Sequence, residues 1–316
     1  MTESRGCRTH KRLPPNPKNS ALSARCYPRY ASSVPSRRAF LRTSAAAGLA
    51  TALPAQPQSQ KPVLGKTIRQ SVCRWCYKDV SLDQLCQWAV QLGLKGVDLL
   101  EVDEYETPRR YGLICTMGYA GLGTIQDALN RVENHAAIAA ALRRNIPLAA
   151  RAGVPNVITF SGTRRGMSDD EGARNTIAGL NRLKSIAEDN GVTICLELLN
   201  SKINHPDYMA DHTAWGARVM HEVNSPRVKL LYDIYHMQIM EGDLIDTIGQ
   251  NIGAIGHFHT GGVPGRHELD ARQEIQYTAV MKAIAGAGFK GYVAHEFLPT
   301  GDPLTSLRQA AEICAV

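Results

Sequence analysis

The chain has 316 residues, 44% of them hydrophobic, enough for the core of one large domain or two small ones. Its formal charge of +7 sits at the start: residues 1–60 hold ten Lys/Arg against the single acid Glu3, so the remainder is slightly acidic, at −2. A nucleic-acid groove needs its basic surplus in the folded part, so that partner class is excluded.

In chain order, residues 1–35 are rich in Arg, Pro and Ser without apolar periodicity and read as disordered. Ser36-Arg37-Arg38-Ala39-Phe40-Leu41-Arg42 follows, then an Ala-rich apolar run and the small residue Ala55. That run, about 14 residues, is shorter than the ~20 that a bilayer span requires, so no stable membrane span is expected. The segment resembles a twin-arginine (Tat) signal, which implies export in the folded state by the Tat machinery to the periplasm or beyond. Residues 1–60 are therefore a leader and 61–316 the domain.

From Lys61 short β-rich runs alternate with amphipathic helical runs, the order of parallel strands joined by helical crossovers. Strands are expected at 68–76, 96–102, 113–117, 157–160, 192–199, 228–232, 252–259 and 291–297. Helices are expected at 82–92, 134–152, 171–190, 211–223, 244–250, 277–286 and 305–313. Ser81 suits the first N-cap and Gly93 its stop. Eight strands with helices between them predict an α/β fold of the (β/α)₈ TIM-barrel type. A doubly wound open sheet is the alternative, weakened because no GxGxxG opens a helix.

In such a barrel the site lies at the C-terminal strand ends. The late strands end in ligand-type residues: Glu197, Asp233, His257-Phe258-His259 and His295-Glu296. A carboxylate in an apolar strand end is costly unless paired or metal-bound. Glu197, Asp233, His259 and Glu296 form the candidate ligand set. Three carboxylates and one imidazole favour Mn²⁺ or Mg²⁺, with Co²⁺, Fe²⁺ or Zn²⁺ as substitutes. Trp75 is a candidate wall of the substrate pocket, and Glu101 a further pocket candidate. Lys202, Asn204 and His205 lie in the loop after the fifth strand. His257 is expected to point away from His259, and His295 away from Glu296; His267 and Glu268 are expected in solvent. The lone CxxC, Cys73 to Cys76, reads as two strand positions rather than a redox pair, and no spacing suits structural zinc.

The segments LELLN (196–200), LYDIYHMQ (231–238), GHFHTGGVPGRHELD (256–270) and GYVAHEFLPT (291–300) resemble the xylose-isomerase-like superfamily, and within it the hydroxypyruvate isomerases. The resemblance implies that Glu197 and Glu296 ligate metal and shuttle protons, and that Asp233 and His259 complete the metal site. It also implies that His236 contacts a substrate oxygen and that Arg266 holds the substrate's far end. His259 is the choice of the ketose 3-epimerases rather than the Gln of bacterial hydroxypyruvate isomerases. The substrate expected is a small hydroxycarbonyl compound or sugar, isomerised through an enediolate. Ketose 3-epimerase and inosose-dehydratase-like lyase are the alternatives on the same metal site, and relatives form homo-oligomers. A sugar-binding protein without catalysis is a further reading. An endonuclease IV-type site needs more histidines on the early strands, where residues 61–160 offer only His135.

Overall fold

The computed structural model describes residues 67–121 and 123–316; the leader, its twin-arginine motif, Cys7 and Cys26 lie outside them. Eight parallel strands close into a barrel in sequence order: β1 (Arg69–Cys73), β2 (Gly96–Leu100), β3 (Ile114–Tyr119), β4 (Asn156–Thr159), β5 (Thr193–Leu198), β6 (Val228–Asp233), β7 (Ile255–Thr260) and β8 (Tyr292–His295). Closure is made by β8 against β1, with Val72 opposite His295. The expected TIM barrel is the fold observed. Strands buried on both faces read as near-continuous apolar runs, and every residue of GVDLL in β2 and TICLEL in β5 is buried.

The outer layer is α1 (Leu82–Leu92), α2 (His135–Ala152), α3 (Asp169–Asn181), α4 (Lys184–Asn190), α5 (Thr213–Val223), α6 (Ile234–Met240), α7 (Leu244–Asn251), α8 (Tyr277–Gly286) and α9 (Pro303–Ile313). α1 shows the local logic. Ser81 Oγ accepts from the Gln84 amide, and Gly93 ends the helix in the left-handed region that glycine enters without penalty. Leu85, Cys86, Ala89 and Leu92 form the face turned to the barrel.

Two expectations are corrected, and one helix is added. The first strand ends at Cys73, and Arg74–Tyr77 wind into a 3₁₀ turn held by Arg74 Nη1 donating to the Tyr77 carbonyl at 2.7 Å. The helix expected over 171–190 is two, α3 and α4, parted where the Arg182 and Leu183 amides tighten onto the carbonyls of Gly179 and Leu180. Leu180, Leu183 and Ala187 stay buried across the break, so the apolar period runs on and conceals it. α6 was not foreseen. Ile234, Tyr235, His236, Met237 and Met240 are all buried, which leaves no polar face for a periodic pattern to show.

Candidate active site

At the barrel mouth β5 to β8 deliver Glu197, Asp233, His259 and Glu296. One donor atom of each lies within 4.8 Å of the others, and all four residues are buried. Glu197 emerges between the buried Leu196 and Leu198, and Asp233 sits opposite His259 across the β6–β7 pair. Asp233 is also the N-cap of α6: Oδ1 accepts from the Tyr235 and His236 amides at 2.8 and 3.3 Å, and Oδ2 is left to the site. His259 Nδ1 lies 2.6 Å from Glu296 Oε2 and 3.5 Å from Glu197 Oε1, yet makes no aligned hydrogen bond. A buried ring nitrogen without an aligned hydrogen bond, among three carboxylates, suits a divalent cation. The four expected ligands therefore converge and fit such an ion.

Three buried carboxylates need compensation. Arg266 supplies a positive charge: Nη2 lies 2.8 Å from Asp233 Oδ2 and bonds Glu296 Oε2. Burial pushes the Asp233 carboxyl up to about 7 even against Arg266. Burial likewise raises Glu197 above the usual glutamate range, a rise that the neighbouring His259 ring only partly offsets. Glu296 goes the other way: burial is outweighed by Arg266 and His259, which hold it well below the ordinary value. Behind the site Asp98 on β2 is fully buried. Its Oδ2 accepts from Nε2 of His257 at 2.9 Å and of His259 at 3.1 Å, and these two rings outweigh burial to hold its carboxyl well below the usual range.

A cleft of about 270 Å³ opens over these groups. Its apolar wall is Leu99, Ile125, Ile158, Phe160 and Leu199; Trp75, Glu197, His205, Arg266 and Glu296 supply the polar side, with Tyr119 between them. Trp75 stands where a pocket wall was expected, donating Nε1–H to Glu296 Oε1 at 2.6 Å, with the Arg266 guanidinium 5.3 Å from its ring. Of the four ligand candidates only the two glutamates reach the cleft surface.

His236 is placed behind Arg266 rather than in the cleft. Its Nδ1 accepts from the Asn200 amide at 3.0 Å, and its Nε2 lies 3.1 Å from Arg266 Nη1. Burial and then Arg266 hold its pKa well below the usual histidine value, so the ring is neutral. Of the loop candidates, His205 faces the cleft. Lys202 instead donates to the Ile239 and Met240 carbonyls, and Asn204 bonds Asn200 and Tyr235. Glu101 is exposed, and it is Leu99 (φ 59°) that lines the pocket from this strand.

His257 does not point away from His259. Residues two apart on a strand share a face, and both rings reach Asp98. His295 does face away from Glu296, into contact with Gln70 and Thr260. His267 is exposed as expected, but Glu268 is buried and accepts from the Thr300 and Gly301 amides and the Thr300 and Ser306 hydroxyls. Cys73 and Cys76 are buried free thiols pushed up by burial, the opposite of a redox-active thiolate. Sequence reasoning passed over Asp98 and Leu99. A lone acid inside the apolar run GVDLL was a usable signal for the first; nothing local marked the second.

A closed parallel barrel with buried carboxylates and an imidazole gathered at its C-terminal mouth defines a class of α/β-barrel proteins with a metal-type site. The family model described as xylose isomerase-like TIM barrel matches residues 86–315, and the chain belongs to that family. The hydroxypyruvate isomerase of Escherichia coli is 35% identical over 114 residues, 35% of this chain and 44% of its own. The 2-oxo-tetronate isomerase of Cupriavidus necator is 33% identical over 113 residues, 36% of this chain and 43% of its own. The chain thus spans about half the length of the curated relatives it matches. Among solved structures, the family 2 AP endonuclease of Brucella melitensis superposes with a TM-score of 0.69 at 22% identity, covering 76% of this chain and 97% of that one. The apo 3-keto-D-glucoside 4-epimerase of Escherichia coli does so at 0.65 and 20%, covering 77% and 97%. At these identities the likeness is one of fold.

Proposed function

We propose that the chain is a divalent-metal-dependent isomerase of a small hydroxycarbonyl or sugar substrate, of the hydroxypyruvate isomerase kind. The observation that carries this reading is the division within the ligand set: Asp233 and His259 lie beneath, while Glu197 and Glu296 both border the cleft. Those two glutamates serve as ligands and as the acid/base pair.

Bound among the four side chains, a divalent cation such as Mn²⁺ or Mg²⁺ supplies Lewis-acid polarisation of a carbonyl and its neighbouring hydroxyl, which acidifies the C–H between them. One glutamate would take the proton from that carbon and the other, itself protonated, would return one to the substrate. Trp75 steers Glu296 through its hydrogen bond and closes one wall. Arg266, on the cleft surface, presents its guanidinium to a substrate oxygen or carboxylate. The apolar wall excludes water from the reacting carbon.

Proton return to the neighbouring carbon is isomerisation; return to the same carbon from the other face is epimerisation. His259, the epimerase choice, supports a ketose 3-epimerase as the second reading; an inosose-dehydratase-like loss of water is the third. The test is proton exchange in D₂O by full-length, Mn²⁺-loaded protein against a panel of hydroxycarbonyl compounds, with product analysis. Exchange with an isomeric product supports the first reading, an inverted centre the second, and a dehydrated product the lyase. No exchange on any compound would leave a binding protein.

The leader is read as a Tat signal, which places the working enzyme in the periplasm or outside the cell.

A further inference from the structure

We infer that Asp98 is a positioning residue for the metal site: it holds His259 with Nε2 protonated, so that Nδ1 is the atom turned to the ion. The inference rests on the metal reading above. Asp98 is fully buried on β2, and the β2–β3 register is irregular on both sides of it. Its carboxylate is surrounded by donors from three other strands. Oδ1 takes the hydroxyls of Ser71 on β1, at 3.3 Å, and Thr116 on β3. Oδ2 takes Nε2 of both His257 and His259 on β7.

An ionised carboxylate only accepts, so a ring nitrogen at hydrogen-bond distance from it must carry the proton. Each ring nitrogen of His259 has two neighbours. Nε2 has Asp98 Oδ2 at 3.1 Å and Cys73 Sγ at 3.8 Å; Nδ1 has Glu296 Oε2 at 2.6 Å and Glu197 Oε1 at 3.5 Å. Without an ion Nδ1 faces the ionised Glu296 as well, so an ion must displace the Nδ1 proton; with Nε2–H committed to Asp98, the lone pair so freed lies on Nδ1, among the three carboxylates. A carboxylate behind a ligating histidine fixes tautomer and ring orientation and raises its basicity, and losing one weakens metal affinity about 10–100-fold. His257 shares the same oxygen, while its own Nδ1 is buried without a partner, so it braces Asp98 and not the ion.

Asp98, His257 and His259 also bring donor atoms within 4.8 Å of one another, so the test must distinguish a hydrogen-bonded brace from a second ion. Full-length protein, wild type, Asp98→Asn and Ser71→Ala, is stripped and titrated with Mn²⁺ and with Zn²⁺. Affinity and stoichiometry are read directly, without substrate. Long-range ¹H–¹⁵N spectra of the Zn²⁺-loaded wild type, assigned by loss of signal in His259→Gln, report which ring nitrogen is protonated. We expect one ion per chain, a protonated Nε2 on His259, a 10–100-fold weaker Asp98→Asn, and a Ser71→Ala weakened less than Asp98→Asn. Two ions per chain, a metal-bound Nε2, or an unweakened Asp98→Asn would each overturn the inference alone. A wild type that binds neither ion would overturn it together with the metal reading. Should Asp98→Asn fail to fold, the wild-type spectra and stoichiometry still decide.

Discussion

Arg266 sits at the point where stability and chemistry meet. Its φ of 59° turns the loop after β7 back over the mouth, and its guanidinium lies 5.3 Å from the rings of both Trp75 and Tyr235. Nη2 bridges Asp233 and Glu296, so it serves as their counter-charge. Removing one member of a buried ion pair costs on the order of 3–5 kcal/mol because the other is left uncompensated. Arg266→Met should therefore lower the melting temperature of metal-stripped protein sharply, and added Mn²⁺ should restore part of the loss. A melting curve indistinguishable from wild type would show that the carboxylates find another partner. Glu296→Gln keeps the shape but loses the proposed base. General acid–base groups contribute about 10²–10⁴-fold, so kcat on the substrate found by D₂O exchange should fall by at least ~100-fold with an unchanged circular dichroism spectrum. Retained turnover would take Glu296 out of the proton path.

The loop joining β8 to α9 is held by a carboxylate that sequence alone assigned to solvent. Glu268 accepts from the Thr300 amide at 2.7 Å, the Gly301 amide at 3.2 Å and the Ser306 hydroxyl at 3.0 Å. Burial opposes its ionisation, but the hydrogen bonds led by Thr300 win and lower its pKa from 4.5 to about 2. A depressed carboxylate stabilises the fold fully above the unfolded value and progressively less as pH falls through the folded one. Glu268 should thus contribute about 3 kcal/mol at neutral pH, lost between pH ~4.5 and ~2. Urea titrations of Glu268→Gln against wild type test this: the variant should be weaker at pH 7 and converge with wild type near pH 2. Parallel curves across that window would contradict it. β3 offers a packing test. A Cβ on Gly118 would overlap the ring of the buried Tyr105, whose hydroxyl donates to the Tyr119 carbonyl. Overpacking costs about 1–3 kcal/mol, so Gly118→Ala should lower the melting temperature by several degrees; no change would mean that the ring has room to shift.

Across the whole molecule, the barrel gathers the proposed ion site from residues spread from Glu197 to Glu296. An ion that binds the folded state alone stabilises all of it, by about 2.7 kcal/mol at a hundredfold excess over Kd. Chelation should lower the melting temperature cooperatively, and Mn²⁺ or Mg²⁺ should restore it. A melting curve that ignores both ions would remove the metal from the account. The leader makes a separate prediction. Replacing Arg37 and Arg38 with Lys should stop Tat-dependent export of a folded reporter carrying residues 1–60, and undiminished export would remove the twin-arginine reading. Among the described residues no helix is long and apolar enough to cross a membrane.

Strand number, helix faces and the four ligand candidates were legible in the chain because each leaves a local trace. A buried parallel strand is an apolar run, an amphipathic helix repeats every 3.6 residues, and an acid within an apolar strand end violates the pattern around it. The role of Asp98, the turn of Leu99 into the pocket, the buried helix α6 and the burial of Glu268 left no such trace, or one that was missed. Asp98 meets histidines about 160 residues away, and Glu268 meets amides about 30 residues on. The partners of Asp98 become neighbours only when β8 closes on β1, and those of Glu268 only when β8 pairs with β7. Local pattern could therefore name the groups at the mouth, while barrel closure decided which of them face the cleft, which stand behind it, and which charges hold the others in place.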